Sequence, residues 1–182
     1  MMDKALFLEK LQELPLYFCD FIDPKALEFS GRIRWICENE CPMYGKTWAC
    51  PPGVGTVEAC TKKCGQYNDC LLISTITEVA DITNMYETLA TRGAHEAITG
   101  EVEEMLKAEG VEVYTLSTEA CAICEHCAYL EGQPCRYPER MHPCVESHGI
   151  NILPLLEELG LPFQFGENVV TWVSLLFFKD GN

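Results

Sequence analysis

Positive charge is what this sequence has least of. Its 13 Lys and Arg stand against 28 Asp and Glu, for a formal net charge of −15. Binding a phosphate backbone needs clustered cations, so nucleic acid is excluded as an expected partner. Histidine is scarce as well, at 4 residues, and no catalytic triad or carboxylate pair stands out. No apolar run approaches the length of a membrane span. Residues 1–10 carry Asp3, Lys4, Glu9 and Lys10 and show no basic stretch followed by an apolar one, so no secretory leader is read there. The tail Gly45-Lys46-Thr47 lacks the upstream glycine of a phosphate loop, and Gly53-Val54-Gly55 reads as a turn, so no nucleotide site is expected. Internal repeats and low-complexity segments are missing too. The expected location is the cytoplasm, with no membrane partner.

Cysteine is abundant instead, at 12 residues in a chain of 182. An even count invites a disulfide framework, but such frameworks belong to small secreted chains with poor cores. Here 48% of the residues are hydrophobic, enough for a real core. Reduced cysteines in such a chain bind metal or do redox chemistry.

Cys121, Cys124 and Cys127 form a C-x2-C-x2-C run, and Cys135 follows after seven further residues. Zinc sites take cysteines in separated pairs. Three cysteines at this spacing wrap a loop around an iron–sulfur cube, as in ferredoxins. Bacterial ferredoxins place the fourth cysteine sooner and follow it with proline; here Arg136 follows Cys135. Upstream, Cys37, Cys41 and Cys50 are spaced C-x3-C-x8-C, with Cys60 ten residues on. That spacing differs from the C-x3-C-x2-C of radical-SAM enzymes. Pro42, Pro51 and Pro52 stiffen this loop, and Tyr44 and Trp48 read either as an apolar lid over its thiols or as core filling.

The segments R-I-R-W-I-C-E-N-E-C-P-M-Y-G-K-T-W-A-C-P-P, C-A-I-C-E-H-C-A-Y-L-E-G-Q-P-C-R-Y-P-E-R and E-S-H-G-I-N, in that order across residues 30–150, resemble the cysteine-rich predicted metal-binding proteins of domain of unknown function 2284. The resemblance implies metal binding, with Cys37, Cys41 and Cys50 as one set of candidate ligands and Cys121, Cys124, Cys127 and Cys135 as another. Cys60 lies where members often carry a cysteine. The chain departs from the family pattern near Cys144 and at His148, which leaves a further local ligand open. The eight cysteines at 37, 41, 50, 60, 121, 124, 127 and 135 would fill two four-thiolate cubes, with their distribution unassigned. Cys64 shares a helix face with Cys60 and is the substitute for it. Cys19 and Cys70 read as small core residues. Cys144 with His142 and His148 forms a third local grouping. Arg136 and Arg140 either offset thiolate charge or pair with Glu131 and Glu139 at the surface. His95 has no obvious partner and reads as packing or surface.

The periodicity predicts a helix over 3–14, a strand over 16–22, and a helix from Asp23-Pro24 to Cys37. A short helix capped by Thr56 follows, then a buried strand over 70–77, a helix over 81–107 that Gly93 and Gly100 weaken, a strand over 111–116, short helices at 143–149 and 151–159, and an apolar strand over 169–178. The fold class is α/β or α+β. A single sheet of about four strands with packed helices is interrupted by two cysteine-rich metal-binding loops, at about 37–70 and 120–148, within one domain spanning 1–182.

Three functions fit. The first is an iron–sulfur protein with one or two [4Fe–4S] clusters that passes electrons, its acidic surface docking a basic redox partner. The second is a cluster-dependent enzyme with an open iron position. The third is a zinc-stabilised binding module.

Overall fold

The computed structural model describes residues 2–161 and 166–181. Helix α1 (Lys4–Leu11) is capped by Asp3, whose carboxylate accepts from the Leu6 amide at 3.1 Å, and it buries Phe7 and Leu11. Strand β1 (Phe18–Ile22) follows. The helix expected from Asp23 to Cys37 is broken in two. Asp23 and Pro24 open only a 3₁₀ turn, Pro24–Ala26, before the chain extends into β2 (Glu28–Phe29). Leu27 and Phe29 pack against the core while Glu28 is exposed, a period-2 pattern that a helix does not produce. Ser30 then caps α2 (Gly31–Asn39), its hydroxyl accepting from the Arg32 amide at 3.2 Å.

Thr56 caps α3 (Val57–Cys64), with Cys60 and Cys64 buried on one face. Two ten-residue strands, β3 (Asp69–Glu78) and β6 (Val169–Phe178), pair antiparallel along their whole length, from Asp69 opposite Phe178 to Glu78 opposite Val169. β1 pairs with the outer side of β3, and β4 (Val113–Leu116) pairs with β6, so the sheet order is β1-β3-β6-β4, all antiparallel. Both faces of this sheet are covered. Leu71, Ile73, Leu176 and Phe178 meet α1 and the 24-residue α4 (Met85–Ala108) through Phe7, Leu11, Val102 and Leu106. Cys70, Leu72, Leu175 and Phe177 meet the opposite layer through Leu27, Ile150, Leu155 and Leu156. Burial on two faces explains why these strands read as continuous apolar runs. Gly93 and Gly100 leave α4 unbroken.

A second, two-stranded sheet pairs β2 with β5 (Ile150–Asn151), just before α5 (Leu153–Glu158). The expected helix over 143–149 is a single 3₁₀ turn, Glu146–His148, ended by Gly149 at φ 75°. Residues 40–56 and 117–127 are turns and irregular chain. Among the described residues no helix is long and apolar enough to cross a membrane.

Candidate metal centre

The first cysteine group forms where α2 ends. The helix delivers a buried Cys37 in its last turn, and the chain reverses so that the Cys41 amide donates to Ile36 O at 3.2 Å. A tight loop returns Cys50 into the protein. The loop closes on Gly53, where an added Cβ would stand 2.9 Å from Thr47 O and 3.1 Å from Cys50 O, so no larger residue fits. Cys41 lies near enough to Cys37 and to Cys50 to raise both thiols, and Cys37 is pushed up to about 11, first by burial and then by Cys41 and the Glu146 carboxylate, with Arg34 opposing.

Cys144 joins this group. Its amide reaches Ala49 O at 3.4 Å, beside Cys50. Its thiol donates to the Glu146 carboxylate at 3.1 Å, while the Cys37 thiol reaches Glu146 O at 3.8 Å. The segment is fixed by Ser117, whose amide donates to Pro143 O at 2.8 Å and whose carbonyl accepts from the Val145 amide at 2.9 Å. Glu119, at φ 59°, also lies within electrostatic range of Cys50. Glu146 opens the E-S-H-G-I-N segment, but neither it nor Glu119 is a candidate on sequence grounds.

Cys121, Cys124, Cys127 and Cys135 line one small pocket. Cys127 opens a 3₁₀ turn, Ala128–Glu131, and Gly132 ends that turn at φ 64°. Arg136 then ties the loop shut, donating to His126 O at 2.7 Å and pairing with Glu131 at 3.4 Å. Trp48, from the first loop, lines the same pocket; its ring meets Tyr129 edge-on at 5.0 Å and its Nε1 donates to Gln133 O at 2.9 Å. Tyr44, by contrast, is exposed. The two groups adjoin, because Cys121 lies close enough to Cys50 to raise its pKa.

Cys60 is placed differently. Its sulfur faces Val54 O at 3.5 Å and Arg34 Nη2 at 3.7 Å, and that guanidinium is itself held by Gly55 O at 2.7 Å and Ser147 O at 2.5 Å. Cys64 and Cys70 belong to the apolar core, and Cys19 packs against its other half. The grouping of Cys144 with His142 and His148 does not form. His148 is buried, with its Nε2 on the Tyr114 hydroxyl at 2.7 Å. His142 is gripped by Glu103 at 2.7 Å and Glu96 at 3.3 Å, which with burial opposing hold it up to about 9. His142, both glutamates, Arg92, Arg140 and Cys121 line a cleft of about 480 Å³. Arg140 stacks over Tyr137.

Among the described residues, no three of His, Cys, Asp and Glu close around a single point as one ion would require; the thiols are neighbours within two groups. The donor set nevertheless fits a thiolate-bound metal. Burial and mutual repulsion raise Cys37, Cys50 and Cys121 above the ordinary thiol range, and a metal's positive charge is what lets such thiols ionise. Thr47 Oγ1 is buried without a partner of ordinary hydrogen-bond geometry, yet it lies close enough to Cys50 to draw that thiol's pKa down. A thiolate there would give that hydroxyl its acceptor.

A family model described as "Predicted metal-binding protein (DUF2284)" matches residues 20–178. No curated protein and no solved structure matches the chain.

Proposed function

Because the chain belongs to the predicted metal-binding proteins of DUF2284, we propose that it is a cytoplasmic iron–sulfur protein whose two cysteine groups each hold a [4Fe–4S] cluster and which passes single electrons. The observation that carries this reading is the pocket lined by all four thiols of Cys121, Cys124, Cys127 and Cys135, since a C-x2-C-x2-C loop with a fourth thiolate is iron–sulfur ligation and not the paired pattern of zinc. When bound, the clusters supply one-electron redox chemistry. The chain's own residues set its conditions. Trp48, braced edge-on by Tyr129, lines the second pocket and limits water there, and exclusion of solvent tunes a cluster's potential. The adjacency of Cys50 and Cys121 favours exchange between the two centres. The net charge of −15 suits docking to a basic redox partner.

A second reading, a cluster-dependent enzyme, is favoured by the cleft that meets Cys121. Its volume of about 480 Å³ suits a small molecule, and His142 between two carboxylates is an acid–base group beside it.

The deciding measurement is iron, acid-labile sulfide and zinc per chain in protein purified without air. Two clusters give about eight irons with equal sulfide. Seven thiolate ligands with one iron open to added cyanide would favour the enzyme. Zinc without sulfide would sink both readings and leave a structural zinc module.

A further inference from the structure

Cys144 stands beside the first cysteine group. Four observations place it there. Its amide donates to Ala49 O at 3.4 Å, so its Cα stands beside the residue that precedes Cys50. Its thiol and the Cys37 thiol both reach the same residue, the first at Glu146 Oε2 (3.1 Å) and the second at Glu146 O (3.8 Å). Its backbone is fixed on both sides by Ser117, through Pro143 O at 2.8 Å and the Val145 amide at 2.9 Å, and its own carbonyl accepts from the Ser147 amide at 3.1 Å. Finally, the competing cysteine is already engaged. Cys60 is 1% exposed on α3 and lies against Arg34, whose guanidinium also bonds Gly55 O and Ser147 O.

On the reading that the two groups hold metal, we infer that Cys144 supplies the fourth thiolate of the Cys37, Cys41 and Cys50 centre, and that Cys60 is a thiol of the protein interior held against Arg34. On binding, the Cys144 S–H bond breaks, a sulfur–metal bond forms, and the proton leaves to solvent, with no change of oxidation state at sulfur. Arg34 then has two duties: it fastens α2 to the 3₁₀ turn that follows Cys144, and it occupies the Cys60 sulfur with its own guanidinium. The assignment also explains the geometry of Ser117. Ser117 belongs to neither group, yet its two backbone bonds decide where Cys144 stands relative to Cys50. Three ligands of this centre would then sit on segments pinned within three residues, by Arg34 for Cys37, by the Gly53 turn for Cys50, and by the Ser117 bonds to residues 143 and 145 for Cys144, which is how a preorganised site is built.

The test compares total iron and zinc per chain, with sulfide, in anaerobically purified wild type and in the Cys144→Ser, Cys144→Ala, Cys60→Ser and Cys124→Ser proteins, together with the electron paramagnetic resonance spectrum of each reduced sample. The alanine variant is included because a serine alkoxide can itself ligate iron. Expected are metal content halved in both Cys144 variants and in Cys124→Ser, with different halves of the spectrum lost, and wild-type content and spectrum in Cys60→Ser. Far-ultraviolet circular dichroism confirms that each variant is folded. Loss of half the metal in Cys60→Ser with wild-type content in both Cys144 variants would overturn the assignment. A wild type without metal would instead overturn the reading of function on which the assignment rests.

Discussion

Gly149 stands at φ 75° between the 3₁₀ turn Glu146–His148 and β5. An added Cβ would lie 3.0 Å from Ser30 O and 3.2 Å from a Val57 methyl. That carbonyl belongs to the cap of α2, the helix that carries Cys37, and the Ser30 amide donates to Gly149 O at 2.6 Å. Gly110 has a similar φ of 82° but open space around it. Gly110→Ala therefore reports backbone strain alone, while Gly149→Ala adds a clash with backbone. We expect Gly149→Ala to cost roughly 1–3 kcal/mol and to lower the urea midpoint more than Gly110→Ala does. Equal midpoints in the two variants would show that the contact with Ser30 is without consequence. The sequence carried the cysteine types and their spacing, so the candidate ligands were legible residue by residue. It carried no sign that Cys144 adjoins Cys50, because that proximity comes from the Ser117–Cys144 bridge and from chain closure over many residues. Spacing counts local neighbours only.

His95 shows what elements do to a residue that looked unpartnered in sequence. α4 turns it inward, where Nδ1 meets Thr75 of β3 at 2.9 Å and Nε2 meets Ser174 of β6 at 2.8 Å. Ser174 in turn bonds Thr99 and Ser117, each at 2.9 Å, and Ser117 bonds Glu96. One polar network thus ties α4 to both central strands and to the segment that anchors Cys144. His95 is 1% exposed, and burial lowers its pKa to about 4. The unfolded chain therefore binds the extra proton first. The contribution of His95 is fully present above about pH 6.5 and is lost as pH falls toward 4, up to roughly 3 kcal/mol. His148, lowered to about 3 by burial and then by Lys63 and Arg34, acts in the same direction. A His95→Gln protein keeps a donor and an acceptor for the two hydroxyls and loses the titration, so its urea stability should fall less than wild type's between pH 7 and pH 4.5. Parallel falls in the two proteins would show that His95 does not titrate with unfolding. The strands were legible because burial on two faces leaves a continuous apolar run. The broken helix at 24–37 was not, because Asp23-Pro24 caps one turn as well as it caps a long helix, and the choice is made by β5, which pairs Phe29 with Ile150.

The whole molecule divides its stability between two kinds of material. The sheet has apolar layers on both faces and needs no metal to bury them. The segments that carry the thiols, 40–56 and 117–145, contain little regular structure, and a ligated metal is what would hold them beyond the few anchors at Ser117, Arg34 and Gly53. A metal that binds only the folded chain adds its binding energy to folding. At a hundredfold excess over its Kd that is about 2.7 kcal/mol, which for a chain of this size raises Tm by roughly 5–11 °C. Removal of metal under reducing, air-free conditions should therefore lower Tm by that order. It should open residues 40–56 and 117–145 to limited proteolysis, and it should leave the far-ultraviolet signature of the β1-β3-β6-β4 sheet in place. Loss of the sheet signal along with the metal would mean that the thiol segments and the apolar core fold as one cooperative unit. An unchanged Tm would mean that these segments are held by their hydrogen bonds alone, and the thiols would then be free to exchange their metal without cost to the fold.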